Sequence, residues 1–242
     1  MTAYPIDMTV QPEVTAHFDA ATNTISYIVK DPGSDACAIV DSVMDIDYAA
    51  GRITYDHADA LIAEIEERGL TLEWIIETHV HADHITGIGA LRDATHCVTV
   101  MGKESKVDMV SMRVDDGDKV EIENISLDVM YTPGHTDDSY CFAMKDQVFT
   151  GDTLLIRGTG RTDFQNGDPR AAYDSLFNKL LTLPDETLVY PAHGAGSLCG
   201  KNMSEDTVST IGTQRAYNYA LQPMDKEAFI AIVNAEQPDA PD

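Results

Sequence analysis

The densest chemistry in the chain is His79-Val80-His81-Ala82-Asp83-His84, which carries three imidazoles and one carboxylate. Imidazole nitrogens and carboxylate oxygens are donors for zinc and for iron. The intervening Val80 and Ala82 are small or apolar, so alternate side chains of an extended loop can converge on one side. Three further segments each place one donor behind an apolar run: Thr132-Pro133-Gly134-His135-Thr136, Phe149-Thr150-Gly151-Asp152-Thr153 and Tyr190-Pro191-Ala192-His193-Gly194. Any one of these alone reads as structural. Together with the histidine cluster they point to a metal centre built from His79, His81, Asp83, His84, His135, Asp152 and His193. His17, His57 and His96 lie in no such context and read as ordinary surface or partly buried residues.

A metal centre needs rigid supports, and a strand aims the loop residue that follows it. Strand patterns precede every donor. Residues 23–29 alternate and are rich in β-branched side chains; the Asp31-Pro32-Gly33 turn and a second strand over 36–41 complete a hairpin. Ala58, Leu61, Ile62 and Ile65 recur at helical spacing within 55–68, and Gly69 follows as a stop. Residues 72–77 read as a buried strand running into the histidine loop, and 85–92 as the start of the next helix. Strands are expected over 97–101, 119–122, 125–131, 139–144 and 147–150, with a turn at Asp116-Gly117-Asp118. A helix over 169–181, a short strand over 187–190 and helices around 208–220 and 226–235 complete the pattern. The tail, 237–242, reads as disordered. Alternating strands and helices argue for an α/β sandwich.

The chain has 242 residues, of which 43% are hydrophobic, enough for one large domain with its own core. We read residues 1–242 as a single domain with a short helical extension at about 204–236. No segment approaches the roughly 20 apolar residues of a membrane helix, and the N-terminus lacks a basic region followed by an apolar run. A cytoplasmic protein is the expectation. Cys37, Cys97, Cys141 and Cys199 are far apart and read as free thiols. Acidic residues number 41 against 16 basic ones, a formal charge of −25, which disfavours nucleic acid and anionic membranes as partners.

In their order, THVHADH, TPGHT, TGDT and PAH resemble the metal motifs of the metallo-β-lactamase superfamily, over residues from about Ile25 to His193. The resemblance implies a four-layer αββα sandwich with the metal at one edge of two sheets. It does not set the reaction, because such folds host hydrolases, oxidoreductases and nucleases. The stretch from Leu154 to Gly167, LLIRGTGRTDFQNG, is similar to the ETHE-type sulfur (persulfide) dioxygenases. HADHITG and the N-terminal FDAATNTISY agree with that group.

That second resemblance implies one Fe(II) per chain, held by His79, His135 and Asp152 as a two-histidine, one-carboxylate triad with open positions. His81, Asp83, His84 and His193 are then groups that orient the ligands. The implied reaction oxidises glutathione persulfide with O2 to sulfite and glutathione, and the implied assembly is a homodimer. The alternative is a dinuclear glyoxalase II-like thioester hydrolase, with two Zn(II) or mixed metals and with the same seven residues as ligands. A lactonase and a non-catalytic metal-binding protein are further readings. Arg157 and Arg161 are candidates for the glutathione carboxylates, since guanidinium matches carboxylate; an Arg161–Asp163 ion pair that shapes the loop is the competing role. Tyr173 is a substrate candidate or a helix-packing aromatic. After His193 the chain reads GAGSLCGKN, where many ETHE-type proteins carry an acidic residue. That form is similar to a branch often fused to rhodanese domains. Its glycine spacing does not make a phosphate loop. Cys199 is there either a persulfide carrier or a packed thiol.

Overall fold

A computed structural model describes residues 11–47 and 50–235. Two six-stranded sheets pack face to face. The first is built from β1 (Glu13–Phe18), β2 (Ile25–Lys30), β3 (Ala36–Val40), β6 (Thr71–Ile76), β8 (Val98–Gly102) and β9 (Met112–Val114), in that spatial order. The second orders β10 (Lys119–Ile122), β11 (Ile125–Tyr131), β12 (Tyr140–Met144), β13 (Gln147–Gly151), β14 (Leu188–Pro191) and β15 (Ser209–Thr210). A small third sheet joins β4 (Val43–Asp47), β5 (Arg52–Thr54) and β7 (Ile85–Thr86).

Three apolar layers explain the stacking. Tyr27, Val40, Ile76, Leu127, Phe142 and Phe149 fill the space between the sheets. Ile28, Ile39 and Ile75, on the opposite face of the first sheet, pack against Leu61 and Ile65 of α1 (Asp56–Glu67) and Leu91 of α2 (Ile88–Thr95). Cys141, Val148 and Val189 of the second sheet pack against α3 (Pro169–Asn178), α4 (Ile211–Tyr217) and α5 (Lys226–Val233). Period-two side-chain alternation thus gives each sheet two buried faces, and the result is the αββα order expected from the sequence. Each fully buried Leu, Ile or Phe contributes about 1.5–3 kcal/mol.

The hairpin of β2 and β3 and the helix ending before Gly69 (φ +62°) form as the residue pattern indicates. Other boundaries differ. Ile85–Thr86 pairs with Val43 and Met44, and the Thr86 hydroxyl accepts the Ile88 N–H at 3.1 Å, so α2 starts only at Ile88. The helix over 169–181 breaks at Lys179 into a 3-10 turn, Leu180–Thr182. Residues 209–210 leave the expected helix to extend the second sheet, and the Thr210 side chain caps α4. The strands β1, β4, β5 and β9 carry no strong pattern of their own. The tail expected to be disordered, 237–242, lies outside the described residues. Among the described residues no helix is long and apolar enough to cross a membrane.

One edge of the sandwich collects the donor loops. β11 and β13 are each antiparallel to β12, and β14 is parallel to β13, so all three end at the same edge. The Tyr140 N–H donates to the Thr78 carbonyl at 2.8 Å, which ties the loop after β6 in the first sheet to that edge of the second.

Candidate metal centre

His79 directly follows Thr78 in the loop after β6. The Thr78 hydroxyl donates to the Asp41 carboxylate, 3.0 Å from each oxygen, so its hydrogen is committed. The His79 Nδ1–H therefore donates to Thr78 Oγ1 at 2.9 Å, and the lone pair is left on Nε2. His135 obeys the same logic. Its Nδ1 faces the Arg161 carbonyl at 2.7 Å, and a carbonyl only accepts, so Nε2 again carries the lone pair.

Both Nε2 atoms are buried and have no hydrogen-bond partner among the described residues. They face Asp152 Oδ2, at 3.8 Å from His79 and 3.4 Å from His135. One donor atom from each of His79, His135 and Asp152 lies within 4.8 Å of the other two. Two aimed lone pairs and an anionic oxygen, all desolvated, fit a divalent cation. Burial, followed by the neighbouring His81, holds the His79 ring well below its usual value, and burial lowers His135 as well, so both rings are neutral donors. Burial pushes the Asp152 carboxyl up, but His193, His135 and His79 outweigh it and hold it far below the usual carboxylate range.

A second group lies alongside. His81, Asp83, His84 and His193 also place donor atoms within 4.8 Å of one another. Here His193 is engaged at both nitrogens, while His81 Nδ1, His84 Nε2 and Asp83 Oδ2 are buried without a hydrogen-bond partner among the described residues. His193 Nδ1 contacts both Asp152 oxygens, at 2.7 and 2.9 Å, and its Nε2 lies 2.8 Å from Asp83 Oδ2. Burial opposes the charge on His193, but the Asp152 and Asp83 carboxylates raise it to about 9. His81 turns its Nε2 toward Asp41 (3.4 Å) and Glu77 (3.6 Å). Those two acids lift His81 well above its usual value against the effect of burial. Glu77 is held in turn by Ser42 and Thr86, whose hydroxyls donate to Oε1 at 2.7 and 2.6 Å. Burial, then His81, brings His84 down to about 4.

Two glycines allow the close approach. A Cβ at Gly160 would stand 2.1 Å from the Asp152 carbonyl oxygen and 2.9 Å from the His135 ring. Gly151 has φ +51°, and a Cβ there would meet Thr78 Oγ1 at 2.6 Å.

The remaining candidates spread out. Arg161 is 4% exposed and forms a two-point ion pair with Asp163, both contacts at 2.9 Å. Arg157, with φ +67°, donates its N–H to Gln214 of α4 at 2.8 Å, and its guanidinium lies 5.6 Å from the Tyr217 ring centroid. Tyr173 packs between Phe177 and Phe229, and its hydroxyl donates to the Met224 carbonyl at 3.2 Å, within the helical layer. Cys199 is buried, with its sulfur within 4.8 Å of donor atoms of Asp152 and His193; burial pushes the thiol far up, reinforced by Asp152 and Asp83. His17 contacts Glu64, His57 contacts Ser26 and His96 ends α2 in a left-handed conformation.

A cavity of about 300 Å³ adjoins the histidine loops. Val80 and Thr136, chain neighbours of His79, His81 and His135, line it with Glu104, Lys106, Asp137 and Gln165. The sequence reading missed Lys106 and also the supporting groups Asp41, Glu77 and Thr78. For the last three a signal existed: polar residues directly ending an apolar strand, Val40 to Asp41 and Ile76 to Glu77-Thr78.

Comparison with known proteins places this geometry. The profile described as "Metallo-beta-lactamase superfamily" matches residues 21–110 and 112–193. The chain belongs to the metallo-beta-lactamase superfamily, whose members here include metallo-enzymes of several kinds. Among its relatives is the mitochondrial persulfide dioxygenase ETHE1 of Mus musculus, 36% identical over 220 residues, covering 90% of this chain and 78% of that protein. The crystal structure of ETHE1 from Myxococcus xanthus superposes with a TM-score of 0.82 at 37% identity, covering 93% of this chain and 92% of the other. A beta-lactamase hydrolase-like protein of Xylella fastidiosa is 33% identical over 250 residues, and this chain spans 57% of its length.

Proposed function

We propose that this protein is a persulfide dioxygenase, which converts glutathione persulfide, O2 and water to sulfite and glutathione at a single ferrous ion held by His79, His135 and Asp152. One observation carries the reading. The two aimed Nε2 lone pairs and the Asp152 carboxylate form a compact set of three, whereas in the second group His193 has Nδ1 held by Asp152 and Nε2 against Asp83. The similarity to ETHE1 proteins over nine-tenths of the chain supports it.

A ferrous ion held by that triad would supply redox chemistry that passes to dioxygen the four electrons the persulfide sulfur gives up as it becomes sulfite. The protein's part is positional. Thr78 and the Arg161 carbonyl fix the ring orientation of the two histidines. His193 steadies the Asp152 carboxylate at 2.7 Å and holds a hydrogen beside it. The cavity beside Val80 and Thr136 is the approach for the peptide portion of the substrate, and Lys106 is its basic lining residue. The Arg161 guanidinium, paired with Asp163, shapes the loop whose carbonyl holds His135.

A second reading, a dinuclear thioester hydrolase, draws on the 4.8 Å grouping of His81, Asp83, His84 and His193. Metal analysis of protein purified without added metal, paired with oxygen-electrode assays, separates the two. One iron per chain with persulfide-dependent oxygen uptake supports the dioxygenase. Two metals with S-lactoylglutathione hydrolysis would replace it.

A further inference from the structure

The segment Phe18-Asp19-Ala20-Ala21-Thr22-Asn23-Thr24 reaches the second histidine group. Thr24 is fully buried. Its Oγ1 lies 3.2 Å from His193 Nε2 and 3.2 Å from His84 Nδ1. Behind it stands Thr22, whose Oγ1 is 2.7 Å from Thr24 Oγ1 and donates to Asp19 Oδ2 at 2.6 Å.

The hydrogens in this row can be assigned. The Asp19 carboxyl, held below its usual value by its bonds to Thr22 against the effect of burial, only accepts. Thr22 gives its one hydrogen to Asp19, so the hydrogen between the two threonines belongs to Thr24. Thr24 Oγ1 then offers only lone pairs to the two rings, and each ring nitrogen facing it must carry a hydrogen. His84 still has Nε2 free, which is buried without a hydrogen-bond partner among the described residues. His193 does not, because its Nδ1 is held by Asp152.

A nitrogen that binds a metal presents a lone pair and no hydrogen. Asp83, the other partner of His193 Nε2, can follow such an exchange by turning from acceptor to ligand. Thr24 cannot, because its own hydrogen is committed to Thr22; the two lone pairs would then face each other across 3.2 Å.

We propose that the Asp19–Thr22–Thr24 row is a metal-count selector: it fixes the Nε2 hydrogen of His193, and so withholds the second group from a second ion and leaves the centre mononuclear. The inference rests on the mononuclear reading above and names Thr24 as a positioning residue for it. Backbone bonds hold the row against the centre: the Ile25 N–H donates to the Ala192 carbonyl at 2.7 Å, and the Gly194 N–H to the Asn23 carbonyl at 3.0 Å.

The test counts ions. Wild type, Thr24→Val, Thr24→Ser and Thr22→Val are stripped with chelator, exposed to excess Co(II), desalted and analysed for cobalt per chain. Zn(II) titration gives the affinity for the second ion. Wild type and Thr24→Ser are expected to hold one ion. Thr24→Val, which exchanges the hydroxyl for a methyl of equal size, is expected to hold two. Thr22→Val changes a partly buried residue outside the core and frees the Thr24 hydrogen to turn toward His193. It is expected to tighten the second ion at least about tenfold, the effect of one hydrogen bond to a polar group. If both valine variants match wild type, or Thr24→Ser also takes up two ions, the selector is overturned. Oxygen uptake by the iron-loaded wild type is measured on the same preparation. A one-ion wild type without persulfide-dependent uptake defeats the dioxygenase reading alone; a one-ion wild type with uptake and unchanged valine variants defeats the selector alone.

Discussion

Asp152 and His193 lie 2.7 Å apart with no measurable exposure of either side chain, a buried carboxylate and imidazole from the loops that follow the adjacent parallel strands β13 and β14. The pair divides the two donor groups. Asp152 faces the lone pairs of His79 and His135 on one side, and His193 closes against Asp83 on the other. Breaking it by Asp152→Asn removes the anionic donor and leaves His193 with one carboxylate. Iron content measured after purification is expected to fall at least about tenfold, as losing a metal-centre partner commonly does. An unchanged iron content in Asp152→Asn would remove this carboxylate from the centre.

Gly160→Ala is expected to behave like loss of a ligand, although Gly160 has no side chain to offer a metal. The added Cβ would collide with the Asp152 carbonyl at 2.1 Å and press on the His135 ring. Far-UV circular dichroism is expected to be retained while bound metal is lost, together with the oxygen uptake that the proposed function requires. Full iron occupancy in Gly160→Ala would contradict the close packing described.

The four cysteines are expected to be silent toward Ellman's reagent in the native protein and to react fully after denaturation. All four are buried. Burial pushes the Cys37 thiol up to about 12 and the Cys141 thiol to about 11, so little thiolate forms at neutral pH. Rapid labelling of a native thiol would show that its environment opens.

Arg161→Ala is expected to destabilise the fold by about 1–3 kcal/mol, because it removes a two-point ion pair from a buried position. Denaturant unfolding gives that number. The same variant tests the binding role for Arg161. A raised KM for persulfide at unchanged iron content would return the side chain to the substrate, whereas an unchanged KM assigns it to the loop.

Stability is expected to fall between about pH 7 and pH 5.5, in part through His57. Burial lowers the folded value of this imidazole and His17 adds to that, while Asp19 and Asp45 pull upward without prevailing. A histidine depressed in the folded state contributes fully above its unfolded value, near 6.5, and loses that contribution as the unfolded chain takes up a proton below it. His57→Gln keeps a partner for the Ser26 hydroxyl and is expected to flatten this part of the profile in urea midpoints. An identical slope in the variant would place the sensitivity elsewhere.

Much of this was legible in the residues. The donor motifs are local, because each follows an apolar strand that any β-pattern reading finds. The strands β2, β3, β6, β11 and β13 announce themselves by alternation or by apolar runs. β9, with the sequence MRV, and β5, with RIT, are too short to carry a period, and only their partners make them strands. The division of the seven donors into two groups came with the family resemblance and not from residue types or spacing. It depends on which ring nitrogen faces which acceptor, and that is set by Thr78, Arg161 and Thr24, whose residue types do not reveal which side chain they hold. Arg161 illustrates the limit: its residue type left a substrate contact and an ion pair with Asp163 equally open, and the structure shows the pair with Asp163.

His79 hangs from one sheet, while His135 and Asp152 hang from the other. An ion shared among them is a rivet through the seam of the sandwich. The nascent chain has no place to load it until β13 has been made and docked, so metallation reports that assembly is complete. Loss of the ion would loosen the join itself, and metal supply would then govern how long each copy survives as well as whether it turns over.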